Sequence, residues 1–150
     1  MIVEEEKKIK DFINIQGWKG KSGLNIIDYK NVFVIKEWRK NKETGIPYCS
    51  TYEVTYEFVS RVYNFLCEVC EVQQRYSYRY LVKNWVLKNK IHEKYGLDLQ
   101  QMVESFNGGK FRKLEYFPFY YSLKVLESKG LIVYYGRGGV MLLKKKVLEF

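Results

Sequence analysis

The chain reads as an α+β protein, and three observations predict it. From Pro118 to Lys146, apolar residues at helical spacing run into a glycine and then two strand-like segments around Gly136-Arg137-Gly138-Gly139. From Val32 to Val54, two runs of strand-forming residues flank the turn Asn41-Lys42-Glu43-Thr44-Gly45. Between these regions lie segments of helical period with explicit caps and breaks. The organisation expected is an N-terminal extension over residues 1–54, a helix and a β-hairpin, followed by a helical segment and a compact C-terminal domain over 55–150.

A chain of 150 residues can bury roughly two-thirds of its unfolded surface, enough for one good core. A hydrophobic share of 47% excludes global disorder, and 29% charged residues excludes a membrane protein. No apolar run approaches the ~20 residues that a bilayer-spanning helix needs. The start, MIVEEEKKIK, has three consecutive acids and no apolar signal core, so a cytoplasmic protein is expected. The net charge is +9, and it is unevenly placed. Residues 1–60 hold ten Lys/Arg against nine Asp/Glu, whereas residues 61–150 hold sixteen against eight. This excess suggests a polyanion partner for residues 61–150, nucleic acid first and an acidic membrane surface second; charge alone is equally met by a basic protein whose lysines are only solvated. Fourteen tyrosines and nine phenylalanines suit core filling more often than base stacking. Enrichment in Lys, Ile and Tyr points to an AT-rich archaeal or viral source.

Residues 2–16 have the pattern of a short amphipathic helix, with Ile2, Ile9, Phe12 and Ile13 on one side. Glu4–Glu6 precede the lysines, as the helix dipole prefers. Gly20-Lys21-Ser22 mimics the end of a phosphate-binding loop, but the glycine that such a loop needs at position 15 is Ile, and the next segment looks extended. Val32–Ile35 starts a strand, and Tyr48–Val54 returns after Pro47, which marks a sheet edge. Asp28, Glu37 and Lys40 have a distant likeness to a nuclease motif that fails at position 39, where Arg stands for Lys. A solvated hairpin is the favoured reading.

A regular helix is predicted from Thr55 to about Gln74, with Phe58, Val62, Phe65, Leu66 and Val69 as a wide apolar face. Cys67 and Cys70 lie on it, and with Cys49 and His92 they have the composition of a zinc set. No glycine or proline forms a knuckle between them, so thiols packed as small hydrophobes are favoured. No metal and no cofactor is expected. After a break at Gln73–Tyr76, Ser77 caps a helix over Tyr78–Tyr95, with Leu81, Trp85 and Ile91 inward and Arg79, Lys83, Lys90 and Lys94 outward. Asp98 and Gln101 then make a capping box for a helix that ends at Phe106, before Asn107-Gly108-Gly109.

Pro118 suits the first position of the last helix. Phe119, Leu123 and Leu126 recur at four and three residues on one face. Gly130 closes the helix in a left-handed conformation, with Leu131 folding back. The segment Leu123-Lys124-Val125-Leu126-Glu127-Ser128-Lys129-Gly130-Leu131-Ile132, followed by a basic hairpin, resembles the recognition helix and wing of winged helix-turn-helix DNA-binding proteins. That resemblance covers about residues 77–146 and implies a C-terminal winged helix-turn-helix domain, with helix 118–129 as reader and hairpin 136–139 as wing. One departure stands out. The turn before the reading helix is normally three or four residues, yet Asn107–Phe117 is eleven: either the turn is enlarged, or Lys110–Glu115 forms an extra helical turn leading into the reading helix.

The resemblance assigns DNA contacts to Lys110, Arg112 and Lys113 on phosphates, and to Tyr120, Tyr121, Ser122 and Lys124 on base edges. Arg137 at the hairpin tip would enter a minor groove or hold a phosphate. It also implies double-stranded DNA as partner, a homodimer reading paired half-sites, and a role in transcription. A single-stranded nucleic-acid-binding or replication accessory protein is the alternative. No residue set has the spacing of an enzyme, so a binding protein leads.

Overall fold

A computed structural model describes residues 23–150. The helix expected over 2–16 and the Gly20-Lys21-Ser22 motif lie outside the described residues. The molecule is α+β and divides into two compact units between Thr55 and Tyr56.

In the first unit, β1 (Gly23–Tyr29), β2 (Val32–Lys40) and β3 (Pro47–Thr55) form an antiparallel meander in that order. This is one strand more than the expected hairpin. Lys30 and Asn31 make the tight β1–β2 turn with positive φ, 42° and 69°, a conformation that asparagine tolerates better than most residues. Ile26 pairs with Ile35, and Ile35 with Tyr52. Ile27, Phe33, Val34, Ile35 and Val54 are buried. Pro47 opens β3, an edge strand, where its missing N–H costs no ladder bond. Glu37 pairs with Leu24, four residues from Asp28 along β1. At about 3.4 Å per residue the two acids stand roughly 14 Å apart along the strand, too far to share an ion.

In the second unit, α1 spans Tyr56–Val69, shorter than the expected run to Gln74, and buries Val59, Val62, Tyr63, Phe65 and Leu66. The supposed break at 73–76 holds a two-residue strand, β4 (Arg75–Tyr76). Helix α2 (Tyr78–Asn89) begins at Ser77, whose side chain accepts the Tyr80 amide. It stops well before Tyr95, because Lys90 takes a left-handed conformation (φ 51°) before the single turn α3 (Ile91–Lys94). The physical reason lies at Ile91. On an unbroken helix Ile91 would project well away from the face of Leu81, Val82, Trp85 and Val86, whereas the break lets it be buried.

Helix α4 (Leu99–Ser105) has the predicted capping box: the Gln101 amide donates to the Asp98 carboxylate at 2.8 Å, and the Asp98 amide to Gln101 Oε1 at 3.1 Å. A π turn over Arg112–Tyr116, with the Phe117 amide donating to the Arg112 carbonyl, leads directly into α5 (Phe117–Ser128). The Leu131 amide donates to the Leu126 carbonyl and the Gly130 amide to that of Glu127, with Gly130 at φ 73°. These two bonds make the Schellman close that the sequence predicts. Strands β5 (Ile132–Tyr134) and β6 (Val140–Leu142) come next, and the second sheet has the order β4-β6-β5.

Helix α5 packs on α1 and on β5, and Phe119 is the centre of the core. Its ring lies 5.2 Å from Trp85, 6.4 Å from Phe65 and 6.0 Å from Phe106. The tail after β6 runs back along α1. The Tyr63 hydroxyl donates to the Lys144 carbonyl at 2.7 Å and accepts from the Lys146 amide at 2.9 Å, and the Phe150 ring reaches Tyr56. The apolar face of α1 is therefore spent inside its own unit. Among the described residues no helix is long and apolar enough to cross a membrane.

Candidate nucleic-acid interface

The resemblance places base-reading side chains along residues 120–124, and the burial of that helix speaks against it. Helix α5 is covered on nearly every side: half its residues are buried and only Ser128 is exposed. Ser122 is 0% exposed and its hydroxyl donates to the Pro118 carbonyl at 2.7 Å. Tyr121 is 6% exposed, packed against Phe117 and Tyr120. Neither can reach a base edge. The half-buried Tyr120 lies against Tyr116 at 5.4 Å and Tyr134 at 5.9 Å. Lys124 has a side chain only 23% exposed, and its ammonium sits 3.4 Å from Glu127 and 5.3 Å over the Tyr134 ring. The cause is the composition of the segment. Apolar and aromatic residues surround the helix on all sides, which marks a core helix rather than one with an open face.

The turn that precedes α5 is different. Lys110, Arg112, Lys113 and Leu114 are all exposed, with Leu114 at 60%. Lys110 lies over the rings of Phe111 and Tyr95. Arg112 donates to the Asn107 carbonyl at 3.1 Å and sits over Tyr116 and Phe117. Those contacts fix where the guanidinium stands while leaving it in water. Lys113 has no ion-pair partner among the described residues. The acid of this turn, Glu115, faces inward. It accepts from the Tyr95 hydroxyl and pairs with Lys94 at 3.6 Å, and that pairing raises the Lys94 pKa. The stretch from Lys110 to Ser128 is thus positive at its exposed start and apolar along its length.

Two further cations were legible in the sequence as the outer side of a helix but not as a site. Arg79 and Lys83, four residues apart on α2, are both exposed and share a face. Leu114 is the residue that sequence reasoning missed altogether, because an apolar side chain within Arg112-Lys113-Leu114-Glu115 reads as one awaiting cover.

The hairpin tip, Gly136–Gly138, closes as a short 3-10 turn. Arg137 is exposed and makes no ion pair among the described residues, although Glu104 lines the same cleft. The tip does not project freely. At Gly139 (φ 104°) an added Cβ would stand 1.9 Å from the Tyr76 carbonyl oxygen, so β6 is pressed against the chain between β4 and α2. Beside it Arg75 lies 5.0 Å over the Tyr135 ring, and Tyr76 stacks on Tyr80 at 5.6 Å.

Cys49 belongs to the first unit, Cys67 and Cys70 to the second. Burial pushes all three thiols up, that of Cys70 to about 11. Among the described residues no group of three or more His, Cys, Asp or Glu side chains is placed to hold a metal ion. Lys144–Lys146 are exposed on the tail. No protein-family model, curated protein or solved structure matches the chain.

Proposed function

We propose that the chain is a duplex-DNA-binding protein of the winged helix-turn-helix type, with a regulatory role in transcription and a homodimeric state that pairs two half-sites. The observation that carries this reading is a set of five exposed cations, Arg79, Lys83, Lys110, Lys113 and Arg137, without acidic partners among the described residues. The order of the elements supports it: helix, short strand, two helices with a single turn between them, a π turn, a last helix and a hairpin, with the early strand beside the final one. In this reading α5 is the strut that holds the π turn, and the turn, not the helix behind it, approaches the DNA. Lys110, Arg112 and Lys113 hold phosphates. Leu114 is the group available for a thymine methyl in the major groove.

Footprinting with a selected duplex pool tests the proposal. Protection over about one or two helical turns is expected, the size of one or two half-sites. Lys113→Ala should weaken binding to all sequences alike, whereas Leu114→Ala should narrow the gap between selected and random duplexes. No protection at low salt, or protection indifferent to sequence, would overturn it.

A second reading, binding of single-stranded nucleic acid, has its own observation. Tyr80 and Tyr135 are exposed, and each already stacks on a neighbour, Tyr76 in one case and the Arg75 guanidinium in the other. Such platforms accept bases at about 1–3 kcal/mol each. Stronger quenching of tyrosine fluorescence by single strands than by duplex would favour it.

A further inference from the structure

Between the start of α2, the end of α4 and the hairpin tip lies a cleft of about 370 Å³, at the small end of ligand pockets and the size for one compact ligand. Its floor is apolar and aromatic, from Val82, Val103, Phe106 and Tyr78. Two guanidinium groups, Arg79 and Arg137, stand at its edge from different elements. Both are exposed and unpaired among the described residues. The polar lining adds the Asn107 amide and the Glu104 carboxylate, the latter accepting from Gln100. The Tyr78 hydroxyl is buried without a hydrogen-bond partner. Its ring is wedged against Phe119 and Tyr134, and burial raises its pKa, so it remains a neutral donor.

We propose that this cleft binds a nucleotide. Each part of such a ligand has its counterpart here. A flat heteroaromatic ring fits the apolar floor, and its edge donors and acceptors suit an amide beside a carboxylate. The phosphate suits two arginines that line the cleft from separate elements. A bare anion would leave the floor unused and meet Glu104 as a repulsive neighbour. An apolar ligand would leave both guanidinium groups idle. The nucleotide is either free in solution or an unpaired unit of a nucleic-acid strand. The cleft shares Arg79 and Arg137 with the duplex reading, but neither Lys110 nor Lys113 lines it, so Lys113→Ala separates the two.

Calorimetric titration of the full chain with the four common nucleoside 5′-monophosphates tests it, with inorganic phosphate and the parent nucleosides as references. At least one monophosphate should bind tenfold or more tighter than phosphate and than its own nucleoside. Arg79→Ala and Arg137→Ala, both at exposed positions, should each weaken that binding about tenfold, and Lys113→Ala should leave it unchanged. Val103→Trp, which fills the cleft, should abolish it, with circular dichroism checking that the fold persists. A 5′-phosphorylated single-stranded octanucleotide that competes more tightly than the monophosphate assigns the site to a strand; weaker competition assigns it to the free nucleotide. Phosphate binding as well as every monophosphate, or unchanged affinity in both arginine variants, would overturn the proposal, whatever the fate of duplex binding.

Discussion

Gly139 and Gly130 both have positive φ, yet they stand in opposite surroundings, and the contrast is a test of the hairpin's seat. A Cβ at Gly139 would collide with the Tyr76 carbonyl, whereas one at Gly130 meets nothing within 4 Å. Gly130→Ala should cost only the left-handed backbone penalty, about 1–2 kcal/mol. Gly139→Ala should cost more than ~3 kcal/mol, because main chain rather than a flexible side chain must move. Urea unfolding of the two variants measures the difference, and equal losses would mean that β6 does not press on the Tyr76–Ser77 backbone. A glycine at a hairpin tip is read from sequence as a turn former. That it also admits the backbone of a residue more than sixty positions earlier depends on the β4–β6 pairing.

Local elements follow local chemistry where their ends carry side-chain or glycine signals. Asp98 and Gln101 set the start of α4, and Gly130 sets the end of α5, all at the predicted positions. Asp98→Ala should cost about 1 kcal/mol, the usual worth of an N-cap. The break at Lys90 has no such signal, since lysine is a good helix former. Its left-handed backbone (φ 51°) makes a sharp prediction of sign. Lys90→Gly should stabilise the protein, by about 1 kcal/mol, by relieving that conformation. In the unbroken Tyr78–Tyr95 helix the same substitution would destabilise by a similar amount. Thermal unfolding decides between them.

At the scale of the molecule, charge is the property that survives the burial of α5. If the five free cations and Arg112 each neutralise one phosphate, log K for duplex DNA should fall against log salt with a slope of about −5. Removing Lys110 or Lys113 should each lower that slope by close to one unit. A filter-binding series across salt concentrations measures it, and a slope near zero would remove the electrostatic basis of the proposal. Lys124→Ala, by contrast, should leave both slope and sequence preference unchanged. Its ammonium is engaged with Glu127 and Tyr134 rather than with solvent.

By itself the sequence determined the α+β class, the capping box, the glycine close of the last helix, the hairpin after it and the concentration of positive charge beyond residue 60. Each of these depends on neighbours a few residues apart or on a simple sum. Only the tertiary structure decided which faces of those elements remain in water. Strand β4 exists because β6 lies beside it, not because Arg75-Tyr76 favours extension. Tyr121 and Ser122 are lost as readers because α1, the second sheet and the Tyr116–Tyr134 aromatic cluster close around α5. Helical period assigns one side to the core, but it cannot count how many neighbours arrive from elsewhere in the chain. Here enough arrive to bury the helix and leave the charged turn before it outside.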